Sequence, residues 1–106
     1  AVMELHTFSS LSAEFLSHYA GAMNTADQAI VYFNPHTIAH KKLAAISIDQ
    51  VKAGFARADL LVFTESTLLQ SHLLSIDFTN RNLLIMTSGN LDGVNLKGFG
   101  EKICNQ

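Results

Sequence analysis

The stretch Ala29-Ile30-Val31-Tyr32-Phe33-Asn34-Pro35-His36 decides the fold. Its first five residues are an unbroken apolar run, not the alternating pattern of a strand with one wet face. A strand buried on both faces has that composition, and such strands belong to parallel sheets. The run then meets the only proline of the chain and two of its five histidines, His36 and His40. Asn-Pro after a strand is ordinary turn chemistry. It is also where the rim of a binding site would lie.

The pattern outward from this stretch alternates. Residues 1–6 read as a short strand. From Ser12 to about Met23, the residues Phe15, Leu16, Tyr19, Ala20 and Met23 recur at spacings of three and four, which predicts an amphipathic helix. Asn24-Thr25-Ala26-Asp27 breaks it, and residues 28–33 are the second strand. A second helix runs from Ser47 to about Ala56 with Ile48, Val51 and Phe55 on one face. Its start, Ser47-Ile48-Asp49-Gln50, predicts a capping box. Leu60–Phe63 is the third strand, Ser66 to about Ile76 the third helix, and Asn82–Thr87 the fourth strand. Ser88-Gly89-Asn90 turns the chain into a last, glycine-interrupted helical segment. Strands linked through helices by short connections predict an α/β fold, an open, mostly parallel sheet with helices on both faces.

Composition bounds the function. A chain of 106 residues, 48% hydrophobic, reads as one globular domain over 1–106. Charged residues are only 15%, against a usual value of about 25%, so part of the surface is expected to face a neighbouring domain or a second copy. The net charge is −2 and no basic stripe occurs, which argues against nucleic acid as a partner. No apolar run approaches the ~20 residues that span a bilayer, and a membrane is not expected as a partner. The single Cys104 allows no internal disulfide, and the start lacks the features of a signal peptide; both predict a cytoplasmic protein. Ala1 lacks an initiator methionine before it and already sits in a strand, so the chain is expected to be excised from a longer one.

In open parallel sheets, ligands bind beyond the carboxyl ends of the strands. Four exits follow: His6-Thr7-Phe8-Ser9-Ser10; Asn34-Pro35-His36-Thr37, with His40, Lys41 and Lys42 after it; Thr64-Glu65-Ser66; and Thr87-Ser88-Gly89-Asn90. Ser12 and Ser66 are expected to be helix caps. His18 and His72 fall on helices as surface or packing residues, and Lys41 and Lys42 on a solvated face. His6 and His36 crown buried strands and are the candidates for ligand contact. No glycine-rich dinucleotide fingerprint, Walker A run, zinc spacing or nucleophile elbow is present. No orienting carboxylate is evident beside either His6 or His36, which ranks a free-standing enzyme using one of them as a base below the other readings.

In their order, these exits resemble the C-terminal domain of the Mur ligases, the ATP-dependent amide ligases of peptidoglycan synthesis. Leu5-His6-Thr7-Phe8-Ser9-Ser10 is similar to the family's His-Thr-aromatic-Ser-Arg segment, with Ser10 in place of the Arg. Ala26-Asp27 resembles the pair that introduces the family's next strand. Met86-Thr87-Ser88-Gly89-Asn90 sits where the family has Met-Gly-Ala-Gly. The pairing of "MELHTFSSL" with "AIVYFNPH" most resembles the ligases that join a murein tripeptide to UDP-N-acetylmuramate. Where the diaminopimelate-adding members carry Asp-Asn-Pro-Arg, this chain has Phe33-Asn34-Pro35-His36, and a histidine cannot supply the permanent bidentate clamp of an arginine. The resemblance implies substrate contacts at His6, Thr7, Asn34, Pro35 and His36, and cofactor contacts at Ser88, Gly89 and Asn90. It implies ATP and Mg²⁺ as cofactors, bound mainly by a central ATPase domain. The implied partners are that domain, an N-terminal UDP-binding domain of the same parent chain, UDP-N-acetylmuramate, and an amino acid or murein peptide. The alternative is a non-catalytic binding or interaction module with a doubly wound fold.

Overall fold

A computed structural model describes residues 1–105. They form a four-stranded parallel sheet of order β3-β2-β1-β4, built from β1 (Val2–Leu5), β2 (Ile30–Phe33), β3 (Leu61–Phe63) and β4 (Ile85–Met86). Four α-helices accompany it: α1 (Pro35–His40), α2 (Ile48–Phe55), α3 (Ser66–Leu74) and α4 (Leu96–Cys104). The expected fold class is therefore the observed one.

Only the central apolar run is buried on both faces as its composition suggests; at the sheet edges β3 leaves Leu61 exposed and β4 is half-buried. All four residues of β2 are buried. Val31 and Phe33 face a core completed by Leu5, Ile38 of α1, and Val51 and Phe55 of α2. Ile30 and Tyr32 face the opposite core, with Val2, Leu69 and Leu73 of α3, and Phe99 and Ile103 of α4. The period-two alternation of a strand thus divides one apolar run between two cores. Each large side chain so buried contributes about 1.5–3 kcal/mol.

Four local expectations are corrected. The segment from Ser12 to Met23 is not an α-helix but a chain of turns with one 3-10 turn at Leu16–Tyr19. Its bonds reach back three residues, from the Phe15 N–H to Ser12 O and from the Ala22 N–H to Tyr19 O. Close docking on α2 accounts for the tighter winding. A Cβ on Gly54 would lie 2.7 Å from Leu16 Cβ and 2.8 Å from its carbonyl oxygen, and the Tyr19 and Phe55 rings stack at 5.0 Å. A 3-10 turn also serves an apolar spacing of three.

Secondly, Asn34-Pro35-His36 is a helix start. Asn34 Oδ1 accepts from the His36 N–H at 2.9 Å, and Pro35 occupies the first helical position, where its missing N–H costs nothing. Thirdly, Ser66 is not a cap: Glu65 holds that position without a side-chain bond. Ser12 makes no cap either, since its segment winds as turns. Fourthly, the fourth strand contracts from residues 82–87 to Ile85–Met86, because only these pair with β1. The capping box is present as expected: Gln50 N–H donates to Ser47 Oγ and Ser47 N–H to Gln50 Oε1. Among the described residues, no helix is long and apolar enough to cross a membrane.

Candidate functional site at the strand switch point

The chain lays down β1, β2 and β3 in one direction, then returns to the other side of β1 for β4. That reversal opens a crevice at the carboxyl ends of β1 and β4, where ligands of doubly wound sheets bind. The register Val2 opposite Ile85 and Met3 opposite Met86 brings Glu4 beside Thr87.

Glu4 is the organiser of this crevice. Its side chain is only 2% exposed, in the middle of an otherwise apolar strand. A buried carboxyl is costly unless hydrogen-bonded, and Glu4 Oε1 is bonded twice. It accepts from the Thr87 hydroxyl and from the Leu91 N–H, the latter at 3.2 Å. The second oxygen, Oε2, lies 3.8 Å from His6 Nδ1. His6 follows Glu4 by two positions, so the strand period places both on one face. A carboxylate does stand beside His6, contrary to the expectation from sequence. The sequence signal for Glu4 is that it is the one charged residue in a run that otherwise reads as core.

The loop beyond β4 is held under backbone strain. Leu91, Asp92 and Gly93 all have positive φ, at 56°, 61° and 95°, and for the two non-glycine residues the left-handed region costs about 1–2 kcal/mol each. Contacts from three elements hold the loop there. Leu91 is wholly buried; its N–H is bonded to Glu4, and its carbonyl accepts from Ser66 Oγ at 2.7 Å. Asp92 Oδ2 accepts a hydrogen bond from the Tyr32 hydroxyl and another from Asn34 Nδ2 at 3.1 Å. Burial first, then the Asp92 hydrogen bond and the charges of Asp92 and Glu4, pushes the Tyr32 phenol well above the usual tyrosine range. Ser66 belongs to the exit after the third strand, where it reads as a cap; Tyr32 and Asp92 are not among the candidate site residues of the sequence. Tyr32 reads as core, and Asp92 falls in the segment after Asn90 that reads as helical.

The expected contacts fare unequally. His6 lies at the crevice with its side chain 39% exposed. Thr7 is exposed, but its hydroxyl closes the turn after β1, donating to Ser10 Oγ at 3.0 Å and accepting from the Ser10 N–H. The Asn34 side chain is divided between capping α1 and bonding Asp92. Pro35 and His36 are exposed in the first turn of α1. In the last exit, Gly89 N–H donates to Thr87 Oγ1, and Asn90 Oδ1 accepts from the Gly93 N–H at 2.9 Å. Gly89 is exposed beside this pair: a Cβ there would lie 3.3 Å from Glu4 Oε1 and 3.6 Å from His6 Nε2. Ser88, Gly89 and Asn90 bring no cationic side chain, and Glu4 and Asp92 flank them. Any phosphate contact at this turn would have to come from its hydroxyl and backbone N–H donors. Among the described residues, no cluster of three His, Cys, Asp or Glu could hold a metal ion.

Two open grooves lie elsewhere. One of about 780 Å³ runs beneath the amino ends of β1, β2 and β4, and one of about 1010 Å³ lies between α4 and the loop after α3. Neither includes Glu4, His6, Tyr32 or Asp92. Convergent polar groups mark a site better than volume does, and these groups converge at the switch point. No protein-family model, no curated protein and no solved structure matches the chain.

Proposed function

We propose that this chain is the acceptor-binding C-terminal domain of a Mur-type ATP-dependent amide ligase. In this reading it works beside a central ATPase domain and a UDP-binding domain of one parent chain. The substrates are UDP-N-acetylmuramate and an amino acid or murein peptide. One observation supports the reading above others: two of the segments that resemble the family, the exit after β1 and the turn after β4, meet at the switch point. Glu4 and Thr87 are 83 positions apart and hydrogen-bonded.

The reaction in this reading has two steps. ATP phosphorylates the muramoyl carboxylate. The acceptor amine then attacks the acyl phosphate carbonyl, forming the C–N bond as the C–O bond to phosphate breaks, and the amine loses a proton. ATP and Mg²⁺ belong to the central domain. The domain described here would present the acceptor and, on closing, exclude water that would hydrolyse the acyl phosphate.

The test is phosphate release by the full-length parent with ATP, Mg²⁺ and UDP-N-acetylmuramate, across L-alanine, D-glutamate, diaminopimelate and the murein tripeptide. Turnover with one acceptor is expected, with His6→Ala lowering kcat/KM at least about tenfold, or ~1.4 kcal/mol, and His36→Ala changing it little. A folded parent that binds ATP and turns over none of them overturns the reading. It would leave the second one, a non-catalytic module, which the internal engagement of Thr7 and Asn34 favours.

A further inference from the structure

We infer that Glu4 is a positioning residue that fixes the tautomer of His6, directing Nδ1–H inward and leaving Nε2 as a hydrogen-bond acceptor for the ammonium group of a ligand. The ligand assignment rests on the reading of the site as an acceptor site; the tautomer assignment does not.

The geometry has three parts. Glu4 Oε1 is fully engaged by Thr87 and the Leu91 N–H, which holds the carboxyl plane in place. Oε2 is thereby aimed at His6 Nδ1, 3.8 Å away. That separation exceeds a hydrogen bond, but such pairs are often long without substrate and tighten when it binds. Gly89 lies next to both, and a Cβ there would sit 3.3 Å from Glu4 Oε1 and 3.5–3.6 Å from the His6 ring, so a side chain at 89 would crowd the pair. A neutral imidazole carries one proton, and the hydrogen bond made by one nitrogen sets the state of the other. A carboxylate facing Nδ1 therefore puts the proton there and the lone pair on Nε2.

The ligand class follows from charge. An acceptor nitrogen suits an N–H donor and does not suit an anion. Glu4 below the crevice and Asp92 beside it, on the Tyr32 hydroxyl, favour a cationic group over a phosphate or carboxylate. In a ligase, that group is the nucleophile before it reacts. His6 Nε2 would take the proton the ammonium must lose before its nitrogen attacks, becoming an imidazolium above Glu4.

The experiment is ¹⁵N NMR of the His6 imidazole in the full chain, wild type and Glu4→Gln. Glutamine keeps an oxygen for Thr87 and Leu91 but replaces Oε2 with an amide donor. The wild type is expected to show the Nδ1–H tautomer and Glu4→Gln a switch to Nε2–H. An Nε2–H tautomer in the wild type overturns the inference even if the variant fails to fold, and so does a folded Glu4→Gln with an unchanged tautomer. Titration with L-alanine, N-acetyl-L-alanine and inorganic phosphate tests the ligand class. A shift of the Nε2 resonance with L-alanine alone is expected. An equal response to the acetylated form, a response to phosphate only, or no response to any of the three overturns the ammonium assignment. These readouts need no turnover, so a parent inactive as a ligase would leave the tautomer result standing.

Discussion

Tyr32 shows how a single side chain serves both the core and the crevice. Its ring belongs to the core against α3 and α4, while its hydroxyl emerges at the carboxyl edge and holds Asp92. The phenol is raised above its usual value, so the folded state keeps the proton that the unfolded chain loses near pH 10. The unfolded state then binds fewer protons, and stability falls as pH rises. This contribution is complete below about pH 10 and fades above it. Tyr32→Phe is expected to cost about 0.5–1.5 kcal/mol at neutral pH, the value of one hydrogen bond. It should also flatten the alkaline loss of stability. Some slope should remain, because burial raises the Tyr19 phenol too. Urea unfolding of both proteins at neutral and alkaline pH checks this; parallel curves would contradict it.

The elements differ in how they are terminated. α2 carries its own start signal, with both halves of the capping box formed. Ser47→Ala removes the acceptor for the Gln50 N–H, and a loss of about 0.5–2 kcal/mol is expected. The denaturant midpoint measures it, and Ser47→Asp should restore most of it. α1 depends on Asn34 for its start, but Asn34 also bonds Asp92 across the site. Mutating the two caps therefore has different reach: Ser47 affects one helix, whereas Asn34 loosens the loop after β4 as well.

At the scale of the whole molecule, the strand order concentrates stability in the centre. β1 and β2 pair along four residues, while β4 pairs with β1 along two. Opening free energies should follow that order. Hydrogen exchange is expected to be slowest in Val2–Leu5 and Ile30–Phe33 and measurably faster in Ile85–Met86. Exchange that is equally slow in β4 would mean that the crevice side of the sheet is as firmly held as its core. The side of the crevice built from β4 and the strained 91–93 loop is thus the side with fewer ladder bonds, a common disposition for segments that adjust to a ligand.

Much of the architecture was legible in the chain. The continuous apolar run Ile30–Phe33 is buried on both sides and suits the centre of a parallel sheet between two helical layers, whereas the similar run at Leu61–Phe63 lies at the edge with Leu61 exposed. Ser47 and Gln50 announce a helix start because capping is local chemistry. The sequence by itself determined the fold class, the polar exits of the strands and the candidacy of His6. Tertiary structure alone decided that the turns at Leu16–Tyr19 wind tightly against Gly54, and that Asn34-Pro35 opens a helix and ties it to Asp92. It alone joined Glu4 to Thr87, Leu91 and His6. The reason is physical. Periodicity and capping act over three or four residues and can be read in order. The partners of Glu4 come from both ends of the chain, and only the return of β4 to the far side of β1 brings them within bonding distance.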